Sequence, residues 1–218
     1  MIRSLSFLCL LTGRALLAGC AALPTETADN KVAAERQFAL GDYQQAAQSF
    51  LALSQQADGK ERTQLLLRAS AAFARADNLY QARQILKSIQ VDTGNPTEVL
   101  LSQLVESHIA LMERRPGDVL LNLSVKPSPA IASAYLADYY HVRAEAYTML
   151  GNRLETAREL VSREKHLTDP IVVEANQKAI WQALAMLSAR ALQQLRTDPP
   201  PDVLSGWMQL VQITKAYQ

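Results

Sequence analysis

From about Ala28 onward, apolar residues recur every three to four positions, and no window sustains the alternation of a half-buried strand. The spacing predicts helices of roughly 10 to 25 residues separated by clear punctuation. In "GNPTEVL", Asn95 is placed to cap a helix, with Pro96 at its first position and Glu98 three residues after the cap. "PSPAIAS" offers Ser128 before Pro129 in the same way, and "TDPIVVE" offers Asp169 before Pro170. "TDPPPD" ends whatever precedes it, because consecutive prolines cannot donate to a helix or continue one.

The helical pattern repeats. In "ALGDYQQAAQSFLAL", Gly41 and Asp42 read as an inter-helix turn covered by Tyr43, with Ala46 and Phe50 stacked one turn apart. A small residue at such a position lets paired helices approach closely, and the aromatic fills the space above it. "ARADNLYQARQILKSI" repeats the pattern with Ala82 and Leu86, and "RRPGDVLLNL" with Val119 and Leu123. "MLGNRLETARELV" repeats it with Gly151, Asn152, Ala157 and Leu160. The anchor positions 46, 82, 119 and 157 lie 36, 37 and 38 residues apart. A tetratricopeptide repeat has a period of about 34 residues. The expected fold is therefore all-α: a tetratricopeptide-like solenoid of helical hairpins with about ten helices, the competing reading being an irregular bundle.

Residues 1–19 differ from the rest. Arg3 opens an apolar stretch interrupted by Arg14, and no acidic residue precedes Glu26. The stretch is too short and wrongly flanked for a membrane span and reads as a cleaved signal peptide. It ends in "LAGC", where Leu17, Ala18, Gly19 and Cys20 resemble the lipobox of bacterial lipoproteins. That resemblance implies that Cys20 becomes the acylated mature N-terminus; the alternative is an ordinary signal with an incidental cysteine. Several acyl chains, at about 0.8 kcal/mol per buried CH₂, hold a protein firmly to a bilayer. Ala21 is not the aspartate that retains many such lipoproteins in the inner membrane, which points to the outer one. Residues 20–27 are then expected to form the acylated N-terminus and tether, and 28–218 the helical domain with its capping helices.

Composition agrees with a helical protein. Gly and Pro number only 8 and 9, and the formal net charge of +1 leaves no basic footprint for nucleic acid. Loss of residues 1–19 would remove Arg3, Arg14 and Cys9, giving a net charge of −1 and a single cysteine. No disulfide could then form within the mature chain, and stability would rest on packing.

Catalytic and cofactor motifs are missing from the sequence: it has no phosphate loop, no H-E-x-x-H, no G-x-S-x-G and no paired-cysteine metal site. No cofactor, metal or enzymatic activity is expected. The polar residues best placed for a groove are His108, Asp138, His141 and Glu145, of which His141 and Glu145 lie one helical turn apart. Tyr135, Tyr139, Tyr140 and Tyr147 enrich the same helix and are expected in the core, Tyr140 and Tyr147 pointing between helices. Glu113, Arg114 and Arg115 before Pro116 read as a solvated helix end. Trp181, Leu184 and Leu187 in "NQKAIWQALAMLS", and Trp207 in "LSGWMQLVQI", give two terminal helices the apolar face of a solenoid cap.

The lipobox, the tetratricopeptide-like helices, "IWQAL" and "LSGWMQL" together resemble the N-terminal domain of the LpoA, or LppC, family. These are outer-membrane lipoprotein activators of penicillin-binding proteins. The resemblance implies a non-enzymatic, lipid-anchored protein facing the periplasm, with a bifunctional penicillin-binding protein (a peptidoglycan synthase) as partner. It also implies a second, larger domain resembling periplasmic substrate-binding proteins, to which activation is largely credited. The chain ends at "ITKAYQ" without one. The expected contribution of this chain is thus a helical spacer or scaffold, whether as part of a longer protein or alone. Two rival readings are a scaffold lipoprotein of outer-membrane protein assembly and the solenoid portion of a lytic transglycosylase. The latter needs a catalytic glutamate on a lysozyme-like domain, for which the chain has no room.

Overall fold

The computed structural model describes residues 24–188 and 204–216, and all regular structure among them is helical. The helices are α1 (Pro24–Leu40), α2 (Tyr43–Gln56), α3 (Gly59–Arg75), α4 (Leu79–Ser88) and α5 (Pro96–Met112). They continue with α6 (Pro116–Asn122), α7 (Ser133–Met149), α8 (Arg153–Glu164), α9 (Pro170–Ala185) and α10 (Leu204–Ala216). Helix α1 already begins at Pro24, so the last four residues of the expected tether are helical; proline is tolerated in a first turn, where its missing N–H has no partner to lose.

Consecutive helices pair as α1/α2, α3/α4, α5/α6 and α7/α8, and α3, α5 and α7 also pack on one another. The four turns inside these pairs are built alike. Each places one residue in the left-handed region: Gly41 (φ 93°), Asp77 (62°), Arg114 (60°) and Gly151 (75°). In each, the following amide donates to the carbonyl five residues back: Asp42 to Gln37 (2.9 Å), Asn78 to Phe73 (2.9 Å), Arg115 to Ala110 (2.8 Å) and Asn152 to Tyr147 (2.9 Å). The left-handed residue itself donates to the carbonyl three back, closing a Schellman motif. These turns recur at intervals of 36, 37 and 37 residues, which establishes the repeat in three dimensions.

The anchor positions Ala46, Ala82, Val119 and Ala157 are all fully buried. Helix starts follow the capping chemistry expected of them. Asn78, Asn95 and Asn152 accept from the amides of Gln81, Thr97 and Glu155, and Asp169 accepts from Ile171 and Val172. Glu98 turns back to accept from the Asn95 side chain and the Asp92 amide. Ser128 behaves differently: its carbonyl accepts from Ile131 and its hydroxyl from Ala130, so it closes a turn, and α7 starts only at Ser133.

One apolar core runs from α1 to α7 and a second from α7 to α10. Tyr135 and Tyr139 are buried in the first, whereas Tyr140 and Tyr147 are half-buried. The tyrosines that point inward are thus not the pair the repeat register suggested. Trp181 and Trp207 both pack on the second core, beside Leu184, Leu204 and Met208, as terminal capping requires.

Candidate functional site

The inner helices converge on a charge network. In α3, Arg68 follows Leu65, Leu66 and Leu67 and falls on the buried face, where its side chain is 1% exposed. Its Nε and Nη2 donate to Glu35 of α1 (3.1 and 2.5 Å), and Nη1 donates to Asp138 of α7 (2.6 Å). The guanidinium lies 4.1 Å from the centre of the Phe38 ring, so charge pairing and cation–π contact act on the same group. His108 of α5 is fully buried with Nε2 3.2 Å from Asp138, edge-on to Phe38.

Arg75 lies seven residues, two helical turns, beyond Arg68 on the same face. Its Nη1 and Nη2 each donate to Glu145 at 2.7 Å, a bidentate pair, and Nη2 also donates to the Tyr43 hydroxyl at 3.0 Å. His141 sits 3.6 Å from Glu145.

Burial works to raise the pKa of Asp138, but His108 and Arg68 beside it win, and its carboxyl is held well below the usual range. For Glu145, burial again pushes up, and His141 and Arg75 bring it below its ordinary value. His141 moves down to about 4: burial disfavours the imidazolium, and Arg163 and Arg75 add to that against the opposing pull of Glu145. It is a neutral imidazole near pH 7.

All four sequence-predicted polar residues therefore belong to one region, but His108 lines no open groove and Asp138 only touches the edge of one. His108 has no exposed surface and Asp138 is 5% exposed. The cause is geometric: α1, α3, α5 and α7 come close enough to exclude water, and the polar groups must satisfy one another. Asp138 and His141 border a cleft of about 290 Å³ between α1, α7 and the turn from α8 to α9; His141 and Glu145 border another beside Trp181. Arg36 at one edge of the first cleft pairs with Asp169 at the start of α9, so the first helix and the ninth are tied together. The sequence reading missed Glu35, Arg68 and Arg75. The available signal was an arginine inside "LLLRA", repeated seven residues later, on the face that also carries Ala71 and Ala72.

Among the described residues no group of His, Cys, Asp and Glu could hold a metal ion, and no helix is long and apolar enough to cross a membrane. Cys20 and the lipobox residues Leu17, Ala18 and Gly19 lie outside the described residues.

Paired helices with a shared turn motif and a buried inner network define a tetratricopeptide-like scaffold. The family profile "LppC putative lipoprotein" matches residues 42–218, and the chain belongs to that family. It is 27% identical over 171 residues to the penicillin-binding protein activator LpoA of Vibrio antiquarius (strain Ex25), covering 78% of this chain and 28% of that protein. Identity to the corresponding activator of Vibrio cholerae serotype O1 (El Tor Inaba N16961) is 26% over 164 residues, or 75% of this chain and 27% of that one. The chain thus spans little more than a quarter of the length of these relatives. Among solved structures, the LpoA N-terminal domain of Haemophilus influenzae shares the fold with a TM-score of 0.66 at 17% identity, covering 78% of both chains. The E. coli LpoA amino-terminal domain does so with a TM-score of 0.64 at 20% identity, covering 77% of this chain and 74% of that one.

Proposed function

We propose that this chain is the helical spacer and scaffold domain of an outer-membrane lipoprotein that positions or regulates a peptidoglycan synthase. Its partner is a bifunctional penicillin-binding protein, and its attachment is through acyl chains on Cys20, with the helical domain facing the periplasm. Family membership and relatives named as penicillin-binding protein activators support this reading over outer-membrane protein assembly or glycan cleavage. The role is non-enzymatic. The observation that carries the spacer assignment is the buried Glu35–Arg68–Asp138 junction, which braces α1, α3 and α7 against one another. Three helices cross-braced at one guanidinium make a stiff scaffold suited to holding position.

The anchoring half of the proposal is tested by Cys20→Ser. The variant is expected to lack acyl mass and to leave the outer-membrane fraction. Recovery of the variant in that fraction at wild-type level, with no acyl mass on either form, would defeat it.

A further inference from the structure

Four arginines lie mostly buried in the inner region, and three of them have carboxylate partners: Arg68 with Glu35 and Asp138, Arg75 with Glu145, and Arg143 with Glu159. Arg163, in the last turn of α8, does not. It is 7% exposed, and among the described residues its sole side-chain hydrogen bond runs from Nη1 to Asn176 Oδ1 at 3.2 Å. Asn176 is fixed in that orientation, because its own Nδ2 donates to the Leu160 carbonyl at 2.9 Å. Among the described residues no carboxylate reaches Arg163, and Nε, shut off from solvent, has no acceptor. The unused Nε–Nη2 edge is the side of a guanidinium whose parallel N–H groups grip a carboxylate two-handed. A buried cation without a counter-charge is costly. Burial lowers the pKa of Arg163 against the opposing, longer-range pull of Asp138 and Glu145.

Arg163 lines the cleft of about 290 Å³, near the lower end of the size range of small-ligand sites. One further unpartnered group lines the same cleft and can accept a proton donor: His141 Nδ1, when its Nε2 carries the proton. The remaining wall is largely apolar, with Val32, Phe38, Ala134, Ala137 and Val172. The other formal charges along it are paired, Arg36 with Asp169 and Arg68 with Glu35 and Asp138. A free donor, a free acceptor and apolar walls form one complementary pattern.

We propose that this cleft binds a ligand carrying a carboxylate next to an N–H donor on a small apolar body, as in the carboxyl end of a short peptide or a free small amino acid. The carboxylate docks on the guanidinium of Arg163, the N–H faces His141, and the apolar part rests on Ala134, Ala137 and Val172. The inference does not depend on which synthase the protein serves.

Calorimetric titration of the full chain with acetyl-alanyl-alanine, its C-terminal amide and free alanine tests it. The acid peptide or free alanine should bind saturably, and the preferred one of the two identifies the source of the group. The neutral amide should bind at least tenfold more weakly than the acid peptide if that is the ligand. Arg163→Gln should remove saturable binding of the preferred acid. Ala134→Phe, which fills the cleft and leaves every charge in place, should abolish it too, so the proposal stays testable if Arg163→Gln fails to fold. Failure of both acids to saturate into the millimolar range, equal binding of acid peptide and amide when the peptide is the preferred acid, or unchanged binding of the preferred acid in a folded Arg163→Gln or Ala134→Phe variant would each overturn it.

Discussion

Arg68 shows how much one side chain can be asked to hold. It joins three helices through Glu35 and Asp138 and has almost no contact with water. Removing it leaves Asp138 buried beside His108 without its cation, the situation in which a broken buried pair is costly. Arg68→Met is expected to destabilise the chain by about 3–5 kcal/mol in urea unfolding. Asp138 and Glu145 have folded pKa values below their unfolded ones, so the stability they supply is present above pH about 4 and is lost as pH falls through their folded values. His141 acts at higher pH. Its folded pKa of about 4 lies below the unfolded value near 6.5, so between these limits the unfolded chain binds the extra proton. Stability should therefore already fall between pH 6.5 and 4, and His141→Gln should flatten that part of the urea-midpoint curve. An unchanged curve in the variant would remove His141 from the account. The sequence exposed these acidic and imidazole residues but not their partners, because Arg68 pairs across 33 and 70 positions and local spacing carries no trace of such contacts.

At the scale of the element, the repeat was legible where its chemistry was explicit. Gly41–Asp42 and Gly151–Asn152 look like turns, and the small anchors Ala46, Ala82 and Ala157 look like close helix contacts; all three anchors are fully buried. The equivalent turn at Arg114 was disguised, since arginine does not announce a left-handed backbone, whereas Asp77 is of a type that visits it. Pro129 misled in the opposite direction: its capping-like context made a turn rather than a helix start. These assignments have energetic consequences. A methyl group at Gly41 would meet no other group within 4 Å, so Gly41→Ala should cost only the backbone strain, about 1–2 kcal/mol. Arg114→Gly should instead relieve strain and raise stability by about 0.5–1 kcal/mol. Ala46→Leu and Ala82→Leu should each overpack a helix pair and cost about 1–3 kcal/mol. Neutral behaviour at both alanines in urea unfolding would mean that these contacts are not the ones holding the hairpins together.

For the molecule as a whole, the hairpin stack followed from short-range pattern, whereas its curling did not. The Arg36–Asp169 pair bridges 133 residues, and with Glu35 on Arg68 it draws α1 onto the inner face. On the proposed function, a solenoid so braced would hold a partner-binding domain at a set distance from an acylated N-terminus while leaving stimulation to another surface. The direct test is a reconstituted assay of glycan polymerisation and crosslinking by a bifunctional penicillin-binding protein. It compares residues 21–218 alone with the same residues joined to the remainder of the Vibrio antiquarius relative. The chain alone should leave both rates unchanged and the joined protein should raise them; strong stimulation by residues 21–218 alone would contradict the spacer assignment and place the activating surface on these helices.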